Sequence, residues 1–201
     1  MKKVKLIVAC DLSSIIGHGL NMPGWHITDD LKLFSFLTRG GESPVKGNPI
    51  IIGHNTAKSL LKILGKPFPG RTTIVVTTEG DPELEESGFI VTKGISAFYD
   101  ALSYAEKCPG EETWIGGGGR LYETALKAIV INEIYITKIQ STYKSLNGEK
   151  EINFCGFPAD QYKIDLRKSK EFKKRSTSAD GQSVDRGNTD NAIVEVYMRE
   201  Y

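Results

Sequence analysis

The feature that most restricts how this chain can fold is an alternation. Short, almost continuously apolar runs at residues 4–10, 49–53, 72–78, 89–92, 113–115 and 133–139 are separated by helical patterns at 28–37, 55–64, 96–107 and 120–128. Apolar runs this short read as strands buried on both faces, and such strands belong to parallel sheets covered by helices. A β–α rhythm repeated this often predicts an α/β fold with a mainly parallel sheet and helices on both faces. Local punctuation agrees. Thr28 is placed to cap a helix with Asp29 and Asp30 in its first turn, and Gly65 and Pro67 stop the helix ahead of them. The end of the chain breaks the rhythm. Residues 162–172 and 192–198 suit strands, and the polar, aperiodic run 173–191 between them predicts an antiparallel hairpin with a long mobile loop. No repeat or interdomain linker interrupts residues 1–201, so one domain is expected.

Composition excludes several classes. The chain is 39% hydrophobic and 25% charged, which rules out a wholly disordered, collagen-like or coiled-coil chain. A net charge of +1 argues against a nucleic-acid coat. The basic run 167–175 holds six cations against Glu171 with Phe172 as its one aromatic residue, which suits a solvated hairpin better than a nucleic-acid surface. Cys10, Cys108 and Cys155 are odd in number and widely spaced, so neither a disulfide framework nor a zinc site is expected. Residues 6–10 are too short for a signal-peptide core, and no run approaches a membrane span. A cytoplasmic protein is expected.

Three features carry chemistry. Gly116-Gly117-Gly118-Gly119-Arg120 lies between a strand and a helix, where backbone N–H groups can face an anion. It completes neither G-x-G-x-x-G nor a P-loop. A tight turn would also use glycine, but four in succession favour close approach of a ligand or another backbone. Asp30 shares a helix face with Phe34 and Leu37, and a carboxylate on an apolar face is costly unless it binds something. As a lone observation it better suits a first-turn acid interacting with the helix dipole. The run 11–25 after the first strand, with Gly17, Gly19, Met22-Pro23-Gly24 and Trp25, is long for an α/β connection and suits a lid.

These features converge in order along the chain: Ile15-Ile16-Gly17, Met22-Pro23-Gly24-Trp25, Asp30-Leu31-x-x-Phe34, Ile52-Gly53-x-x-Thr56, Pro67-Phe68-Pro69-Gly70-Arg71, Ile115 to Tyr122 and Ile134-Tyr135-Ile136-Thr137. Together they resemble dihydrofolate reductase from Lys3 to about Ile139, and the closing hairpin fits more loosely. The resemblance implies an eight-stranded, mostly parallel sheet with an antiparallel C-terminal strand. It also implies reduction of dihydrofolate by NADPH, supplying tetrahydrofolate for one-carbon and thymidylate metabolism. A monomer without nucleic-acid or membrane partners, and no metal, goes with it.

By the same resemblance, Asp30 orients the pterin and favours N5 protonation, Thr137 hydrogen-bonds Asp30, and Trp25 holds a bridging water. Ile7, Ala9, Met22, Leu31, Phe34 and Ile115 wall the pterin, Phe68 packs on the aminobenzoyl ring, and Arg71 clamps the glutamate α-carboxylate. For the cofactor, Ala9, Ile16 and Gly17 meet the nicotinamide, and Gly53, His54, Asn55 and Thr56 lie by the phosphates. Thr77, Thr78 and Lys93 lie by the adenosine ribose. Gly117, Gly118 and Gly119 form the cradle with its cis Gly–Gly peptide, continued by Arg120, Leu121 and Tyr122. Three departures from the family pattern stand out: Gly24 is inserted before Trp25, one glycine of 116–119 is extra, and His54 replaces a usual Arg or Lys. Two neighbouring readings are a pyrimidine or other pterin reductase, disfavoured by Arg71, and a folate binder without turnover.

Overall fold

A computed structural model describes residues 1–19, 25, 27–45, 47–144, 148–172 and 191–200. In chain order its elements are β1 (Lys3–Cys10), β2 (Ile15–His18), α1 (Thr28–Arg39), β3 (Pro49–Gly53), α2 (His54–Leu64), β4 (Thr72–Thr77), α3 (Pro82–Glu86) and β5 (Ile90–Lys93). There follow α4 (Ala97–Lys107), β6 (Glu112–Ile115), α5 (Gly119–Ala128), β7 (Glu133–Ile139), β8 (Glu151–Asn153), β9 (Tyr162–Ile164), β10 (Lys170–Phe172) and β11 (Ala192–Arg199).

Eight strands follow one path, β10-β11-β7-β1-β6-β3-β4-β5, and β9 adds to β11 off that path. From β7 to β5 every neighbouring pair is parallel, while β11 runs antiparallel to β7. Strand alternation then sorts side chains into two layers. Leu6, Val8, Ile51 and Ile74 pack with Phe98, Ala101 and Ala105 of α4 and Leu121 and Ala125 of α5. Ile50, Ile52, Val75, Trp114 and Tyr135 pack on the opposite face with Leu33, Phe34 and Leu37 of α1 and Ala57 and Leu60 of α2. The expected α/β fold, with helices on both faces and an antiparallel C-terminal strand, is therefore present.

Local details differ from the sequence reading. Ile27, not Thr28, holds the cap position of α1, and no side chain caps that helix. The single strand expected over 162–172 is split into β9 and β10. Asp165 turns the chain there: its N–H donates to Val196 O at 2.7 Å and its carbonyl accepts from Lys168 and Ser169. The small β2–β8 ladder and α3 have no counterpart in the sequence pattern, because Ile-Ile-Gly-His, Glu-Ile-Asn and Pro-Glu-Leu-Glu-Glu contain no continuous apolar run or full amphipathic repeat. Asp81-Pro82 did encode the start of α3, since Asp81 Oδ1 accepts from Leu84 N at 3.2 Å and proline opens the helix. The loop expected over 173–191 falls, up to residue 190, outside the described residues.

The amino-terminal ends of the central strands are locked by buried charge. Lys5 of β1 (7% exposed) lies between Glu112 of β6 at 2.5 Å and Glu133 of β7 at 3.3 Å. Glu133 (3% exposed) also accepts from Lys168 at 2.9 Å and from the Tyr135 hydroxyl at 2.8 Å. Burial works against its charge, but Lys168, Lys5 and Tyr135 outweigh it and hold the carboxyl below its ordinary value. Removing one partner would leave Lys5 buried with a single acid. Glu133→Ala should therefore lose about 3–5 kcal/mol in urea unfolding at pH 7. Because the folded-state value is depressed, this contribution is present above the ordinary glutamate range and disappears as pH falls through the folded-state value. The wild-type advantage should thus shrink on acidification, and an unchanged advantage at pH 3 would refute the assignment.

Candidate active site

The carboxyl-terminal ends of β1, β3, β6 and β7 lie on one edge of the sheet, the edge at which open α/β sheets bind ligands. The β1–β7 register sets Ala9 beside Thr137. From α1, Asp30 reaches across, and the Thr137 hydroxyl donates to its Oδ1 at 2.5 Å. Burial raises the pKa of the Asp30 carboxyl above the usual aspartate value, and the hydrogen bond from Thr137 opposes that rise. With Oδ1 engaged by Thr137, Oδ2 remains as an acceptor among the described residues.

Beyond Asp30 along α1 the surface turns apolar and then cationic. Phe34 and Phe68 meet with ring centroids 5.3 Å apart, and Ile7 packs in the same layer. The Arg71 guanidinium lies over both rings, 4.6 Å from Phe68 and 5.4 Å from Phe34. Thr38 holds it there: its hydroxyl donates to Phe34 O and accepts from Arg71 Nη1, each at 2.7 Å. Leu31 stays half exposed on this surface, whereas Ile115 is wholly buried in the layer below α4 and α5. Trp25 stacks edge-on against Tyr143 at 5.2 Å, next to Ile27 and Ile139. Met22 and the inserted Gly24 lie outside the described residues.

A second region adjoins the first. Two helices begin side by side there, α2 with Gly53 at its cap and α5 with Gly118 at its cap. Neither has a side-chain cap or an acid in its first turn, so two helix N-termini offer backbone N–H groups to one anion. They are tied together by Gly53 N–H donating to Gly117 O at 2.6 Å, and the Gly117–Gly118 peptide is cis. The four glycines have neighbours of their own. An added Cβ would lie 2.8 Å from Ile50 Cδ1 at Gly116, 3.0 Å from the Tyr122 hydroxyl at Gly117, 3.1 Å from Thr56 Oγ1 at Gly118 and 3.1 Å from Ile152 Cγ2 at Gly119. Close approach of other protein atoms, together with φ of +109° at Gly117, accounts for them. A cradle of bare backbone donors between two uncapped helices fits the pyrophosphate of a dinucleotide.

Around this cradle the expected residues fall into place unevenly. Ile16 and Gly17 sit on β2, and Ile16 Cδ1 lies beside Gly119. His54, Asn55 and Thr56 form the first turn of α2. Thr77 pairs with Lys93 across β4 and β5, and the Gly94 N–H joins the carbonyls of Thr77 and Thr78. Arg120 is exposed, but Leu121 is in the core, and the Tyr122 hydroxyl donates to Ile7 O at 2.7 Å. His54 does not stand alone: its Nε2 lies 2.8 Å from Asp81 Oδ2, which Lys58 also approaches at 3.3 Å. His54 first, then the Leu84 N–H and Lys58, lower the Asp81 carboxyl to a pKa of about 2.

Sequence reasoning missed three residues here: Asp81, Thr38 and Asp11. Asp11 is buried at the end of β1, where its Oδ1 accepts from Ser13 N and Ile15 N at 2.8 Å and its Oδ2 from Tyr143 N at 2.9 Å. It builds the turn that launches β2. An aspartate two residues ahead of serine is a turn signal that could have found it.

A family model described as dihydrofolate reductase matches residues 3–182. A dihydrofolate reductase of Bacillus subtilis is 30% identical over 161 residues, covering 80% of each chain. A putative dihydrofolate reductase of Caenorhabditis elegans is 28% identical over 155 residues, covering 77% of this chain and 80% of that one. Among solved structures, a dihydrofolate reductase from Enterococcus faecalis complexed with NADP(H) superposes with a TM-score of 0.72 at 24% identity, covering 99% of this chain and 97% of the other, a likeness of fold. The chain belongs to the dihydrofolate reductase family, which reduces dihydrofolate to tetrahydrofolate with NADPH.

Proposed function

We propose that this chain reduces 7,8-dihydrofolate through the Asp30–Thr137 pair, with NADPH spanning the two-helix cradle. One observation carries this reading: a buried carboxyl, bonded to one threonine, lies on the same edge as an arginine stacked on two phenyl rings. NADPH, when bound, supplies the hydride. Asp30 Oδ2 accepts from the amino and ring N–H groups on one edge of the pterin and so fixes the ring. Thr137 fixes the carboxyl through Oδ1. Because burial favours the protonated carboxyl, Asp30 keeps a proton near the pterin to a higher pH than an exposed aspartate would, which favours protonation at N5. Phe34 walls the pterin, Phe68 beside it packs on the aminobenzoyl ring, and Arg71 pairs with a tail carboxylate in the fork geometry that guanidinium suits. Ile16 and Gly17, on the β2–β8 ladder packed against Gly119, cover the nicotinamide end and exclude water. On the same reading the chain is a cytoplasmic, single-domain monomer; three free cysteines suit a reducing compartment, and a net charge of +1 suits a protein that does not bind nucleic acid.

The test is NADPH oxidation at 340 nm with dihydrofolate. Asp30→Asn should lower turnover at pH 7 by about 10²–10⁴-fold. The same substitution should leave the fold at least as stable. A carboxyl with a raised folded-state pKa loses stability as pH rises through that value, so at pH 7 a neutral amide is the cheaper group to bury. Nearly unchanged turnover, or a large loss of stability at pH 7 with no loss at pH 4, would refute the assignment.

The ribose end yields a second prediction. Asp81 pairs with His54 and, together with Glu83, with Lys58 where the extra phosphate of NADPH would lie. Asp81→Asn keeps an acceptor for Leu84 N and removes the opposing charge. The ratio of NADH to NADPH dissociation constants should rise about threefold, as expected when one partly exposed anion beside the extra phosphate is removed. An unchanged ratio would place the phosphate elsewhere.

A further inference from the structure

Arg71 is not the only guanidinium at the open end of the folate surface. Arg39, the last residue of α1, is exposed and donates from Nε to Pro69 O at 3.3 Å. Arg71 donates from its own Nε to the same carbonyl at 3.2 Å. Gly70, with φ of +69°, lets the Arg39 side chain lie against the loop, since a Cβ there would be 3.5 Å from Arg39 Nε. Two like charges thus bracket one carbonyl oxygen. Neither arginine meets a carboxylate within 4.0 Å among the described residues. The pairing has a cost. Burial, and then the charge of Arg39, lower the pKa of Arg71 to about 10. Among the described residues some surface cations find acids, as Lys58 does with Asp81 and Glu83, and Lys138 with Glu195, and others lie singly in solvent; what sets this pair apart is that two guanidinium groups are fixed on one carbonyl. A like-charge pair with no acid among the described residues, fixed on a shared anchor, suits a ligand with two anionic groups.

We infer that Arg39 is a second carboxylate subsite, reading the tail of the substrate one step beyond the carboxylate held by Arg71. This rests on the reading of Arg71 as the tail clamp. The glutamate of dihydrofolate carries two carboxylates. Arg71, with Nε on Pro69 O and Nη1 on Thr38, presents its remaining N–H groups to one of them. Arg39 shares the anchor but lies at the exposed end, so it meets the next carboxylate outward. That group is either the glutamate's own γ-carboxylate or the α-carboxylate of a further γ-linked glutamate. The chemistry is the same in both cases: an anionic oxygen pair engaging an exposed guanidinium.

The experiment measures KM for dihydrofolate, its γ-amide, its γ-linked diglutamate and dihydropteroate, which has no glutamate, in wild type and in Arg39→Gln, Arg39→Lys and Arg71→Gln. In Arg39→Gln the KM ratio of the tailed substrate to dihydropteroate should rise about three- to tenfold, between the worth of an exposed ion pair and that of a charge-assisted hydrogen bond. Arg39→Lys should restore part of it. The penalty should fall with added salt. If the γ-carboxylate is the ligand, the γ-amide abolishes the penalty. If a second glutamate is the ligand, the penalty is largest for the diglutamate. Equal ratios in wild type and Arg39→Gln, with Arg71→Gln still discriminating against the tail, overturn the inference and leave the Arg71 reading intact. Loss of discrimination in neither variant removes the Arg71 reading as well. Thermal melting of each variant separates a lost subsite from a damaged α1, because unfolding would weaken dihydropteroate too.

Discussion

The parallel pairing of β1 between β6 and β7 is the constraint on which the site depends. It sets Leu6 beside Ile115 and Ala9 beside Thr137. Those registers bring the glycine run after β6 and the threonine of β7 to one edge of the sheet. A slip of one residue would turn Thr137 to the other face and leave Asp30 without its donor. The Lys5–Glu112–Glu133 cluster ties the same three strands at the opposite end. Strand register is thus fixed where no ligand is expected and used where one is.

Charge is handled in opposite ways at the two ends. At the amino-terminal ends of the strands each buried ion has at least one partner, which offsets its desolvation. At the functional edge the compensation is left incomplete. Asp30 has one neutral hydroxyl, Arg39 and Arg71 share a carbonyl, and two helix N-termini have no side-chain cap. On the proposed reading each deficit would meet a group of the two substrates: the pterin edge, the tail carboxylates and the pyrophosphate. The start of α2 departs from this pattern, because Asp81 already pairs with His54 and, with Glu83, with Lys58.

Much of this was legible in the residues. The parallel strands were readable because burial on both faces leaves continuous apolar runs, and Pro49–Gly53 and Glu133–Ile139 occur with the expected bounds. Asp30 stood out as a carboxylate on an apolar helix face. What escaped depends on contacts distant in sequence. Asp81 meets His54 across 27 residues, and the Arg39–Arg71 pair exists only because the turn at Gly70 lies against the end of α1. The glycine run suggested ligand approach, but Ile50, Tyr122, Thr56 and Ile152 supply a packing reason no local pattern could reveal. β2 and β8 went unseen because their sequences, Ile-Ile-Gly-His and Glu-Ile-Asn, form no continuous apolar run, unlike the similarly short β5 and β6.

The central claim is that protonation of the Asp30–Thr137 pair governs the reduction. Single-turnover oxidation of bound NADPH by dihydrofolate, followed from pH 5 to 9 in wild type and Thr137→Val, tests it most directly. In wild type the hydride rate should fall as pH rises. The Thr137 hydroxyl holds the Asp30 pKa down against burial, so removing it should move the midpoint of that fall to higher pH. A midpoint that stays in place or moves to lower pH in Thr137→Val would contradict the account.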